Sequence, residues 1–199
     1  MNHNDALEKL KSGNQAYKQA FDAGGNLVSP IKPKSPEMGQ QPFAVIVSCS
    51  DSRVPPELVF NCGLVEIFIV RVAGNILNES QLGSIEFACK LAGTKVVVVL
   101  GHTACGAVKG ACDDARLGNL TLLLSRIRAA VDAVKEPAEA ADRNSKNAAF
   151  VNAVAEKNVA LTIENTRNQS PVLKEMEESG QIKIVGAMYD IADGKVHWI

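Results

Sequence analysis

The run Val96-Val97-Val98-Val99-Leu100, set between Lys95 and Gly101, constrains the fold of this chain more than any other stretch. A strand alternates its side chains between two faces, so a run apolar at every position must be covered on both. That requirement is met by a central strand of a parallel sheet with helices above and below. The neighbouring segments fit such a sheet. Residues 43–48 and 65–71 predict two more strands, 182–187 a fourth, and 195–199 a last one beside it across the Asp193-Gly194 turn.

Helical spacing of Leu7, Leu10, Ala16, Tyr17 and Phe21 predicts an amphipathic helix over 5–21. Pro55-Pro56-Glu57 suits the first turn of a short helix, because proline has no amide hydrogen to lose there. Longer helices are expected over 79–92, closed by Gly93, over 117–133, over about 145–168 and over 171–179. Residues 24–42, with four prolines and three glycines, read as loop. Strands alternating with helices imply right-handed crossovers. The expected fold is therefore α/β: a mostly parallel central β-sheet flanked by helices, with an N-terminal helical arm and a C-terminal edge strand. At 199 residues the chain suits one well-buried domain, with an arm and loop over 1–40 and a catalytic core over 41–199.

Charge excludes some functions. A net charge of −1 leaves no clustered basic footprint for nucleic acid. No apolar stretch approaches a membrane span, and residues 1–13 lack the basic-then-apolar layout of a secretion signal. A cytoplasmic protein without nucleic-acid or membrane partners is expected. Five cysteines, at 49, 62, 89, 105 and 112, then suit free thiols or metal ligands better than a disulfide framework.

Ligands of open α/β sheets bind beyond the carboxyl ends of strands, where the strand order reverses. Cys49 lies just past the first strand and His102 just past the third, so the two meet if strand one sits between strands two and three. In Gly101-His102-Thr103-Ala104-Cys105, an H-x-x-C pair crosses a turn leading toward a helix near Ala104. Two thiolates and an imidazole are a soft set that favours zinc, and three protein ligands leave a fourth position for water. Asp51 can fill that position or orient its occupant, and Arg53, two residues on, can fix its carboxylate bidentately. Other readings of the residues remain open: a buried cysteine is often a small packing group, and Cys49 beside Arg53 could be a nucleophile. A phosphatase-type loop, however, needs arginine where Pro55 stands. Cys62, Cys89 and Cys112 read as packing thiols, His3 as part of a tail and His197 as an edge-strand residue.

Taken together, the motifs resemble those of β-class carbonic anhydrases. They are C-S-D-S-R-V-x-P-E at 49–57, R-x-A-G-N at 71–75, G-S-I-E-F-A at 83–88, H-T-A-C-G-A at 102–107 and G-A-M-Y-D at 186–190, preceded by A-L-x-x-L-x-x-G-N at 6–14. The resemblance implies Zn2+ on Cys49, His102 and Cys105, and an Asp51–Arg53 catalytic dyad. It implies reversible hydration of carbon dioxide to bicarbonate by zinc-bound hydroxide. It also implies substrate contacts from Gln40, Phe68, Phe87 and Gly106, with Phe87 standing where many relatives have tyrosine. Some bacterial members close the site by ligating zinc with the aspartate, beside a bicarbonate pocket that uses a tryptophan. Here that position is Ile46, although Arg71 and Tyr189 match the rest of the pocket, so an open resting site is expected. The family forms dimers or tetramers in which the N-terminal helix grips a partner and the pocket is shared; packing of that helix on its own domain is the alternative. Hydrolysis of carbonyl sulfide or carbon disulfide, or a zinc-bearing subunit without turnover, are the competing functions.

Overall fold

In a computed structural model, residues 1–23 and 39–199 are described, and most of the loop expected over 24–42 lies outside them. Five strands form one sheet: β1 (Ala44–Ser48), β2 (Ile67–Arg71), β3 (Val96–His102), β4 (Lys183–Tyr189) and β5 (Val196–Trp198). Their order is β2-β1-β3-β4-β5; the first four run parallel and β5 pairs antiparallel with β4. Strand one thus sits between two and three, as the site requires.

The valine run takes the centre, and every residue of β3 is buried. Val97 and Val99 face one apolar cluster with Ile127, Phe150, Val154 and Val159, while Val96, Val98 and Leu100 face another with Leu10, Ile46, Phe60 and Tyr189. Each such side chain contributes roughly 1.5–3 kcal/mol on burial. The helices are α1 (His3–Asp22), α2 (Pro56–Val59), α3 (Glu79–Glu86), α4 (Gly106–Cys112), α5 (Gly118–Ser125), α6 (Arg128–Ala133), α7 (Ala148–Gln169) and α8 (Pro171–Glu178). Helix α7 presses closely on β3: a Cβ at Gly101 would lie 2.6 Å from Val159 Cγ2 and 2.7 Å from Met188 Sδ, so no larger residue fits.

Several boundaries differ from expectation. Strand β2 starts at Ile67 because Val65 has φ 63, a left-handed conformation that no strand includes. The helix expected over 79–92 stays α-helical only to Glu86, and residues 87–91 widen into a π turn with Ala92 N–H donating to Phe87 O. The widening keeps Ala88 and Cys89 buried while turning Phe87 and Leu91 outward, 47% and 74% exposed. The segment 117–133 breaks into α5 and α6 at Arg126-Ile127, where Ile127 is drawn fully into the core. The helix after the H-x-x-C pair begins at Gly106, since Ala104 has φ 55.

Helix α1 packs against the sheet of its own chain. Ala6, Leu7, Leu10 and Asn14 are its buried residues. The Asn14 amide donates to Val59 O (3.0 Å) and Gly194 O (3.1 Å) and accepts from Val196 N–H (3.0 Å). The Tyr17 and Tyr189 hydroxyls lie 3.0 Å apart.

Candidate metal centre

The parallel register places Ser48, the last residue of β1, opposite Leu100 of β3 and Arg71 of β2. Cys49 therefore emerges beside the end of β3, where His102 sits, and Cys105 follows as the residue before α4. All three are buried, and one donor atom from each lies within 4.8 Å of the others. The two sulfurs are 3.9 Å apart. Thiolates about 2.3 Å from a shared tetrahedral ion would be about 3.8 Å apart, so the spacing fits zinc.

The imidazole fits as well. His102 Nδ1 lies 2.9 Å from Thr103 O, an acceptor, so the ring proton belongs there and Nε2 carries the lone pair. Nε2 is buried and has no hydrogen-bond partner among the described residues. Leaving such an atom unsatisfied costs about 1–3 kcal/mol, a cost that ligation removes. Thr103 is itself fixed: its hydroxyl donates to Asp190 Oδ1 (3.2 Å) and accepts from Ile191 N–H (3.1 Å).

Two arginines organise the segment 49–53. Arg71 donates from Nε to Cys49 O (2.8 Å) and from Nη2 to Asp51 O (2.7 Å), holding its backbone. Arg53 grips the Asp51 carboxylate bidentately, Nε to Oδ1 (2.9 Å) and Nη2 to Oδ2 (2.7 Å), and its backbone N–H adds a third bond to Oδ1 (3.0 Å). That grip holds the Asp51 carboxyl well below the usual carboxylate range. Asp51 Oδ2 lies 4.0 Å from His102 Nε2, so the ionised group stands beside the cluster while its oxygens are held by Arg53. Ile46 is fully buried in β1, and Tyr189 is engaged with Tyr17.

The thiols divide by environment. A hydrogen bond from Cys105 holds Cys49 down to about 4, and the same contact pushes Cys105 upward, so the pair readily loses one proton and resists losing a second. Burial pushes Cys62 and Cys89 up to about 12 and Cys112 to about 11. Those three are protonated packing groups, as expected.

Of the remaining expected residues, Gly106 opens α4 directly after Cys105, and Phe68 packs edge-to-face on Phe87 with ring centroids 5.9 Å apart. Gln40 is exposed. Other contacts are not legible from spacing. Gly74 donates its N–H to Cys49 Sγ at 3.2 Å. Asn152 of α7 accepts from Ala104 N–H (3.1 Å), and Asn158 donates to Gly74 O (2.8 Å). Gly74 belongs to a motif visible in the sequence; the two asparagines carry no signal beyond sharing a helix.

Comparison with known proteins agrees with this geometry. The family model described as carbonic anhydrase matches residues 44–196. Carbonic anhydrase 2 of Mycobacterium tuberculosis is 35% identical over 198 residues, covering 96% of this chain and 89% of its own. The β-carbonic anhydrase CafA of Aspergillus fumigatus superposes with a TM-score of 0.72 at 28% identity, covering 98% of this chain and 89% of its own. One of two tetrameric β-carbonic anhydrases from Sordaria macrospora superposes with a TM-score of 0.70 at 25% identity, covering 82% and 83%. The chain belongs to the carbonic anhydrase family, as a β-class enzyme.

Proposed function

We propose that this enzyme hydrates carbon dioxide reversibly to bicarbonate and a proton, with Zn2+ held by Cys49, His102 and Cys105. The observation that carries the proposal is the ionised Asp51, gripped by Arg53, beside a buried three-donor cluster whose imidazole nitrogen lacks any other partner. A bound zinc ion supplies Lewis acidity that lowers the pKa of water to about 7. Asp51 is the acceptor that orients the attacking oxygen: its carboxylate holds the remaining hydrogen and leaves a lone pair for the carbon. Arg53 keeps the carboxylate aimed and ionised. The released proton passes to solvent buffer.

Gln40, Phe68, Phe87 and Gly106 would form the substrate side of the pocket, and a second copy would complete it. Phe87, packed on Phe68 of β2, and Leu64, just before it, are exposed beside what is an edge strand among the described residues, which supports an oligomer, and the Sordaria relatives are tetrameric. Among the described residues no helix is long and apolar enough to cross a membrane. Stopped-flow hydration on protein of verified metal content tests the proposal. Rapid hydration that disappears in Cys49→Ala together with the bound zinc is expected; a folded, zinc-loaded wild type no faster than buffer would overturn it.

A further inference from the structure

We infer that helix α7 acts on the metal centre through Asn158, a positioning residue that fixes the Gly74 turn and thereby aims the Gly74 N–H at the Cys49 sulfur. The inference rests on the metal reading above and extends it to residues outside the ligand set. Gly74 and Asn75 are consecutive left-handed residues, φ 72 and φ 44, in a single 3-10 turn closed within itself by one bond, Asn75 N–H donating to Val72 O at 3.0 Å. Two contacts from α7 hold it: the Asn158 amide donates to Gly74 O at 2.8 Å, and the Thr162 hydroxyl donates to Asn75 O at 3.5 Å. On its other side the turn is closed, since a Cβ on Gly74 would lie 2.6 Å from Ile127 Cδ1 and 3.2 Å from Ala107 Cβ. Asn158 is 3% exposed, so its bond to the turn is not exchanged for water.

A backbone N–H directed at a thiolate withdraws negative charge from the sulfur and fixes the direction of its lone pairs. Gly74 directs such a bond at Cys49, beside one from the Asp51 backbone, and the direction of the Gly74 bond depends on a turn that Asn158 locks. The same helix also touches the turn that carries His102 and Cys105: Asn152 Oδ1 accepts from Ala104 N–H, between them. One rigid element therefore contacts both that turn and the Gly74 turn, which donates to Cys49. Outer contacts of this kind typically change metal affinity about 10–100-fold.

Three preparations test it: wild type, Asn158→Ala and Asn158→Asp, with Asn14→Ala as a control for a buried amide elsewhere. Aspartate keeps the shape but turns a donor toward Gly74 O into an acceptor. Both Asn158 variants, substituted with Co2+, should shift the sulfur-to-cobalt charge-transfer band and release metal to a chelator roughly 10–100-fold faster. Asn14→Ala should lower thermal stability and leave band and release rate unchanged. In wild type loaded with 113Cd, the Gly74 amide proton should show scalar coupling to the metal across the N–H···S bond, a readout that does not depend on any variant folding. Absence of that coupling, or Asn158→Asp matching wild type in band and release, overturns the inference while the metal centre stands. Wild type that binds no Co2+ or Cd2+ overturns both.

Discussion

The proposed mechanism needs Asp51 as an acceptor and not as a metal ligand, a reading supported by the three hydrogen bonds it accepts from Arg53. Asp51→Asn keeps the shape and removes the charge. We expect zinc content to be unchanged and kcat/KM for hydration to fall about 100-fold or more, read by stopped flow. A variant that instead loses its metal would show that the carboxylate serves the ligand set. At this scale the sequence was informative where ligands and dyad fall in two contiguous segments, 49–53 and 102–105. It was silent on Asn152 and Asn158, because a hydrogen bond spanning 84 residues, such as Asn158 to Gly74, leaves no local pattern. The N–H of Gly74 was hidden for another reason: its direction depends on a positive φ, and a motif letter does not encode one.

Among elements, strands were read better than helix ends. The β3 run needs cover on both faces, and no competing structure provides it. Helical periodicity, by contrast, cannot separate one continuous helix from α3 followed by a π turn, since both bury Leu82, Ile85, Ala88 and Cys89. Nor could it place the break before Ile127, which follows from core packing. Helix α1 offers the sharpest test at this scale. Asn14→Ala deprives two carbonyls and one amide of their partner in a buried seam. A loss of about 1–3 kcal/mol is expected, measured as a shift in the urea midpoint. No shift would mean that the helix rests elsewhere in solution.

Taken whole, the described residues outside the candidate metal cluster hide four acidic hydrogens that the unfolded chain would release. Burial pushes Cys62 and Cys89 to about 12 and Cys112 to about 11, and it also raises Tyr189. Unfolded thiols ionise near 9. Above that pH the unfolded state binds fewer protons than the folded one, so stability falls as pH rises. Each thiol subtracts up to about 1.4 kcal/mol per pH unit. The melting temperature should therefore drop between pH 9 and 11, with a shallower slope for Cys89→Ala; an equal slope would place the cause elsewhere. The strand order was legible here because the candidate site pointed to it: with β1 between β2 and β3, Cys49 and His102 emerge side by side. The seat of α1 was not, because Asn14 finds its partners at Gly194 and Val196. That pairing has a consequence during synthesis. Helix α1 has no complete berth until residues 194–196 have been made, so it waits for nearly all of the sheet before it can settle.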